Sequence, residues 1–218
     1  MFVIDDDESI RELLAWLMAR NSIPCETFAN ARSFLAACQP DAPGCLVLDL
    51  YMPGMSGLDL QKYLTDHGIV MPVIFLSGRA DVSNAVRAVK GGAIDFIEKP
   101  FDYRRIVALV KEGLARDAEM RSERLKNREL GTRLATLTQR EQEVLGLVVA
   151  GKLSRVIAEE LAISIKTVEA HRSKIMEKLG VGSIAELVHA IVAQKNTLNQ
   201  QDAVIPEQRG GAEAPKQA

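Results

Sequence analysis

With 218 residues, 47% hydrophobic and 26% charged, the chain has a soluble globular makeup and the length for two ordinary domains. Its 27 Lys/Arg against 29 Asp/Glu leave a net charge of −2, which excludes a wholesale polybasic or polyacidic binding chain. No stretch approaches eighteen consecutive apolar residues and the amino terminus lacks a basic region leading into an apolar one, so neither a membrane span nor a secretory signal is expected.

The chain begins with a short apolar strand, 1–4, ending in Asp5-Asp6-Asp7-Glu8. Leu13, Leu14, Leu17 and Met18 then repeat at helical spacing, and Asn21 falls where that helix should stop. A second strand is predicted at 25–29 and a second helix at 31–38, before Pro40. Cys45 to Leu48 are apolar without alternation, the mark of a strand buried on both faces; Asp49 closes the run and Pro53-Gly54 breaks the chain. A helix over 58–64, a strand over 72–77, a helix over 81–90 closed by Gly91-Gly92, a strand over 94–97 and a helix over 102–115 follow. Five strand–helix alternations imply an α/β fold, a doubly wound parallel sheet covered on both faces. Cys25, Cys38 and Cys45 form no CxxC pair and accompany no histidine cluster, so they read as reduced core thiols of a cytoplasmic protein.

Residues 116–135 are charged and helix-favouring, with Met120, Leu125, Leu130 and Leu134 spaced five, five and four apart; this is no heptad, and a helical linker is predicted. Residues 136–195 are helical throughout, with breaks near 151–152, 162–164 and 180–182, and 196–218 have a composition that predicts disorder. Charge is uneven along the chain. Residues 1–115 carry eleven Lys/Arg against fifteen Asp/Glu, net −4; 116–135 carry six against four; 136–194 carry seven of each. An acidic first part suits a metal or phosphoryl site, whereas any DNA binding by the second must rest on local placement of charge.

In a doubly wound sheet the carboxyl ends of the central strands converge, which gathers Asp5, Asp6, Asp49, Ser77 and Lys99 in one crevice. Clustered carboxylates repel one another unless a cation offsets them, and hard oxygen ligands suit Mg²⁺. Lys99 adds a point charge for phosphate and Ser77 a hydroxyl donor, so one Asp could accept a phosphoryl group while its neighbours neutralise the oxygens. The segments VIDDDE at 3–8, LVLDLYMPGMSG at 46–57, VIFLSG at 73–78 and DFIEKPF at 95–101 resemble, in order and spacing, the receiver domains of two-component response regulators. The resemblance covers 1 to about 115 and implies a flavodoxin-like fold with Asp49 as phospho-acceptor from a histidine kinase. It further implies Mg²⁺ held by Asp6, Asp49 and the Tyr51 carbonyl with Asp5 in support, Ser77 as the hydroxyl that follows the phosphate, Phe96 as the aromatic switch partner and a cis Lys99-Pro100 peptide. Tyr51, Arg79 and Ala80 flank the acceptor and are expected to tune phosphate lifetime. A phosphoryl group adds about −1.5 to −2 charges, and the resulting change should surface on the 81–90 helix and the 94–97 strand. There Val82, Val86 and Val89 are either ordinary core residues or a pairing face for a second copy.

Thr138 to Glu141 form a capping box opening one helix, Ser154 is expected to cap a second, Ser164 a third over 165–179, and Ser183 to Glu186 a capping box of a fourth. Short helices joined by tight turns fit a helix-turn-helix whose third helix enters a groove. Its Val168, Ile175 and Leu179 share an apolar face; Lys166, Glu169, Ala170, Ser173 and Glu177 oppose it, flanked by Thr167, Lys174 and Lys178. His171 and Arg172 lie nearer the buried edge. LTQREQEVL at 137–145, LAISIKTVEAHRSKIMEKLGV at 161–181 and the spacing of Ser183 to Leu187 resemble the LuxR-type DNA-binding domain, so the whole resembles a FixJ-like response regulator. That implies a four-helix all-α domain contacting double-stranded promoter DNA through Lys166, Thr167, Glu169, Ala170, His171, Arg172, Ser173, Lys174 and Lys178. It also implies a homodimer on phosphorylation with Leu187 on a dimerising helix, and RNA polymerase as a further partner. Two other readings remain at this level. Asp5-Asp6-Asp7-Glu8-Ser9 superficially fits the nucleophile motif of haloacid-dehalogenase-like phosphatases, which also requires a late acidic pair; a binding module independent of phosphorylation would require a lost acceptor, and Asp49 is present.

Overall fold

The structure is a computed structural model that describes residues 1–39, 41–78 and 82–192. They fall into two compact units, the first Met1–Ser122 and the second within Glu123–Ala218. The expected disordered tail at 196–218, with Arg79 and Ala80, lies outside the described residues.

In the first unit β1 Phe2–Ile4, β2 Glu26–Phe28, β3 Leu46–Asp49, β4 Val73–Ser77 and β5 Asp95–Glu98 pair in parallel in the order β2-β1-β3-β4-β5. Helices α1 Glu8–Arg20, α2 Ala31–Ala37, α3 Gly57–Asp66, α4 Val82–Lys90 and α5 Tyr103–Ala135 alternate with them. This is the flavodoxin-like order, in which the crevice opens between the carboxyl ends of β1 and β3. The two-residue period of a strand sorts the apolar runs onto both faces. Leu46, Leu48 and Phe75 join Phe34 and Leu60 in one cluster, whereas Val47, Ile74 and Leu76 join Leu14, Met18, Ile106 and Val110 in the other. Leu46 through Leu48 and Leu50 are at most 1% exposed, and each such burial contributes about 1.5–3 kcal/mol. Local signals set the helix ends: the Asp7 carboxylate accepts from the Ser9 N–H, and Ser56 and Asp59 form a capping box.

Three expectations change here. The 102–115 helix and the 116–135 linker are one unbroken helix, α5, and the boundary between the units falls inside it. Its Asp117 is buried, accepting from the Gly44 N–H (2.9 Å) and from Arg121 Nε (3.1 Å), so residues beyond 115 belong to the first unit's packing. Val82, Val86 and Val89 are not core residues: they are 78%, 46% and 55% exposed, and Ala88 is the buried residue of α4. Of the cysteines, Cys45 alone is buried, its thiol pushed up to about 12 by burial, while Cys25 and Cys38 are half-buried.

In the second unit, α6 Gln139–Val149, α7 Ser154–Glu160, α8 Ile165–Leu179 and a helix over 184–192, here α9, enclose a core of Val144, Leu145, Ile157, Val168, Ile175 and Leu179. Thr138 and Glu141 form the expected capping box and Ser164 caps α8 through the Thr167 N–H. Ser154 is not a cap: Leu153 holds that position without a side-chain bond, and Ser154 is the first helical residue. Ser183 accepts from the Glu186 N–H, but the Glu186 carboxylate takes the Gly182 N–H, one residue earlier than a capping box requires. Leu187 is 1% exposed within the core, so it is not available to a dimer partner. Leu130 and Leu134 of α5 pack on this core and Arg133 donates to the Leu179 carbonyl (2.8 Å); the carboxyl-terminal part of the expected linker is thus a fifth helix of this unit. Gly180, at φ 69°, ends α8 in the left-handed conformation glycine adopts freely.

Glu141 is almost fully buried, accepting from Lys178 Nζ (2.6 Å) and the Thr138 N–H (2.8 Å). The Lys178 hydrogen bond, helped by the Thr138 N–H, pulls its carboxyl down to about 2. A depressed carboxylate contributes stability that is present above the ordinary value of 4.5 and lost as pH falls toward about 2. Glu141→Gln is therefore expected to destabilise the second unit by about 1–3 kcal/mol near neutral pH. Thermal unfolding of wild type and variant checks this: their midpoints should converge on acidification, and a constant gap would refute the ionic origin.

Candidate functional site

The register decides the first site. Ile4 lies opposite Leu48, so the next residue on each strand, Asp5 and Asp49, are neighbours at the carboxyl edge of the sheet. Both are buried, at 1% and 5% exposure. Lys99 bridges them, its Nζ donating to Asp5 Oδ2 and to Asp49 Oδ1 at 2.6 Å each. It reaches them because its own N–H donates to the Ser77 carbonyl (2.7 Å), which docks the end of β5 on β4. The Tyr51 N–H donates to Asp49 Oδ2 (2.7 Å) and the Asp7 N–H to Asp5 Oδ1 (3.0 Å). Ser77, fully buried, follows Leu76, the register partner of Asp49. Phe96 lies half-buried on β5 opposite Phe75, against the first core cluster, and the Lys99-Pro100 peptide is cis.

Burial raises the Asp5 carboxyl above its ordinary value, against the lowering pull of Lys99. Burial would lower Lys99, but hydrogen bonds to Asp49 and Asp5 together carry it above its ordinary value. Two buried carboxylates share one ammonium, a local charge imbalance that a further cation would relieve. The donors near that edge, the carboxylates of Asp5, Asp6 and Asp49 with the Tyr51 carbonyl, are all hard oxygens. They fit Mg²⁺, which takes one or two carboxylates and retains several waters. Among the described residues, no group of three or more His, Cys, Asp or Glu side chains stands in ligating geometry. Asp6 is exposed, while its carbonyl and that of Asp5 both accept from Arg11 Nη1 (2.9 Å each), which pins the acidic loop.

Arg11 and Asn84 escaped the sequence reading. Asn84 Nδ2 donates to the Tyr51 hydroxyl (3.1 Å), linking the loop after β3 to α4. Arg11 follows the acidic run by one helical turn, a signal available in the sequence; the Asn84 partner is 33 positions away and carries none. Gly57 is the first residue of α3. A Cβ there would collide with the Asp49 carbonyl oxygen and stand 2.9 Å from the Phe75 ring, because α3 starts hard against β3. Gly57→Ala is expected to displace β3 and lower the stability of the first unit by about 1–3 kcal/mol. A chemical-denaturation midpoint equal to wild type would show that the turn relaxes without cost.

The second site is the outer face of α8. Val168, Ile175 and Leu179 are buried, whereas Lys166, Thr167, Glu169, Ala170, Ser173, Lys174 and Lys178 are exposed and His171 and Arg172 half-buried. Their environments differ. Lys166 and Lys174 form no ion pair among the described residues, while Lys178 is engaged by buried Glu141 and the Thr136 carbonyl. Glu169 pairs with Arg172 (3.4 Å) and accepts from Ser154.

A family model for the response regulator receiver domain matches residues 1–111, and one for bacterial regulatory proteins of the luxR family matches 135–191. The chain belongs to the two-component response regulators. Transcriptional regulatory protein TdiR of Thauera aromatica is 43% identical over 192 residues, 88% of this chain and 85% of that protein. FixJ of Azorhizobium caulinodans is 44% identical over 186 residues, 85% and 88% of the two chains. Among solved structures, response regulator StyR matches with a TM-score of 0.76 at 43% identity, covering 88% of this chain and 96% of that one. Full-length FixJ from B. japonicum matches at 0.54 and 32% identity, covering 89% and 96%. These relatives are regulators, which leaves the phosphatase reading without support. In this response regulator the carboxylate edge is the receiver's and α8 lies in the LuxR-type unit. No described helix is long and apolar enough to cross a membrane.

Proposed function

We propose that this response regulator accepts a phosphoryl group on Asp49 from a histidine kinase, pairs through α4 and binds promoter DNA with α8. The observation that carries the acceptor assignment is the Lys99 bridge between Asp5 and Asp49. It holds an ammonium against the oxygen that would bear the phosphoryl group, where positive charge offsets the transferring oxygens best. Attack by an Asp49 oxygen on phosphorus forms the acyl phosphate as the bond to the kinase histidine breaks. Lys99 stays with the new oxygens and the Ser77 hydroxyl is the neighbouring donor. Asp5, Asp6, Asp49 and the Tyr51 carbonyl would hold Mg²⁺, which when bound supplies further positive charge to those oxygens. Val82, Val86 and Val89 recur at spacings of four and three on one side of α4, and exposed valines in such a row favour a second copy as cover.

Sedimentation velocity of the full chain with Mg²⁺, with and without beryllofluoride as a mimic of the aspartyl phosphate, tests this. Monomer turning to dimer is the expected result. A monomer that binds beryllofluoride and never pairs would refute pairing and leave release of the DNA-binding unit as the switch output.

A further inference from the structure

Ser154, the first residue of α7, sits in a closed polar group with two residues of α8. Arg172 Nη1 donates to Ser154 Oγ, the Ser154 hydroxyl donates to Glu169 Oε1, and Arg172 lies 3.4 Å from the same carboxylate oxygen. The arrangement is unexpected on two counts. A glutamate on a DNA-facing surface is repelled by phosphates, and a serine heading a helix whose cap position lacks a side-chain bond would ordinarily serve that helix. Both are explained if their object is Arg172. Its side chain is 22% exposed against 56% for Glu169, so the guanidinium is the more enclosed partner, its Nη1 meeting the hydroxyl and the carboxylate together. The charge on this face is then graded: Lys166 and Lys174 stand unpaired among the described residues, and Arg172 is offset within its own helix.

We propose that Glu169, acting through Ser154, is a positioning residue that withholds Arg172 from DNA phosphates and so limits sequence-independent binding. Sequence-independent affinity grows with the number of phosphates neutralised, and a guanidinium already paired with a carboxylate neutralises none until that pair opens. The lock therefore weakens binding to arbitrary DNA and leaves the remaining α8 face to read bases. This inference rests on the DNA-binding reading of the second unit.

The test is a double-mutant cycle in the full chain, measuring affinity for a mixed-sequence duplex between about 50 and 200 mM salt. Glu169→Gln frees one cation. It is expected to tighten binding at low salt and steepen the slope of log affinity against log salt by about 0.9, roughly a threefold larger loss across that range. Ser154→Ala should move both quantities the same way by less, and Glu169→Gln should have no effect once Arg172→Gln is present. An unchanged slope in Glu169→Gln overturns the proposal. A Glu169→Gln effect that persists beside Arg172→Gln also overturns it, assigning the glutamate to simple repulsion. Weaker binding in Glu169→Gln overturns it in favour of a direct contact to a base amine. Wild type with no salt-dependent binding at all would instead refute the DNA-binding reading on which the proposal stands. Glu169→Ala serves as a second variant, since its exposed position leaves the α8 core residues untouched.

Discussion

Asp49→Asn is expected to abolish the beryllofluoride-driven change in sedimentation while leaving the receiver folded. The amide keeps the size of the carboxylate and an oxygen that can still accept from the Tyr51 N–H, so the two-residue link at 2.7 Å need not be lost. What disappears is the charged oxygen that Lys99 holds at 2.6 Å, and with it the anionic nucleophile for phosphorus and the partner for a beryllium fluoride adduct. The variant should show no dimer at phosphodonor or beryllofluoride concentrations that saturate wild type. Isolated DNA binding by the second unit should persist, because α6 to α9 and the end of α5 form their own core. A variant that still dimerised would move the acceptor away from Asp49.

Lys99→Met is expected to have the largest effect on stability. It leaves Asp5 and Asp49 buried side by side with no ammonium between them, and removing one partner of a buried ionic group costs about 3–5 kcal/mol. The pH dependence has a defined sign. Burial already lifts the Asp5 carboxyl, and losing Lys99 removes the groups that pull it down. An acid with a raised folded-state value is most stabilising when protonated, so its contribution is present below the ordinary value of 3.8 and lost as pH rises through the folded value. The variant should therefore recover stability relative to wild type as pH is lowered from neutrality to the ordinary value of 3.8, opposite to the behaviour expected of Glu141 in the second unit. Mg²⁺ should raise the unfolding midpoint of Lys99→Met more than that of wild type, because the carboxylates lose their internal cation. Urea unfolding monitored at both pH values decides the matter. A midpoint equal to wild type near neutrality would mean that water compensates the pair.

Alternation of short apolar strands with helices was enough to give the parallel sheet, and the polar residue ending each central strand was enough to mark its crevice. Those features are local: a strand's two-residue period, a capping side chain and a terminating Asp act within a few positions of themselves. The caps at Thr138 and Ser164 were legible for the same reason, whereas the cis Lys99-Pro100 peptide was expected only from the resemblance to receiver domains. What tertiary structure decided involves partners far apart in the chain or a choice between faces of similar hydropathy. Helix α5 has no proline between 103 and 135 and runs through Gly113 and Gly131, so the burial of Asp117 in one unit and the packing of Leu130 and Leu134 on the core of the other appear only in the fold. Valines on α4 and Leu187 on α9 are all apolar in sequence, yet the valines face outward, because Ala88 is the residue of α4 that meets the first unit's core, and Leu187 is enclosed in the core of the second. Lys178 looked like a phosphate ligand until Glu141, 37 positions earlier, was seen to hold it, and Ser154 looked like a cap until Glu169 and Arg172 were seen around it. A side chain's charge and size are written in the sequence, but the partner that determines their use is supplied by the fold.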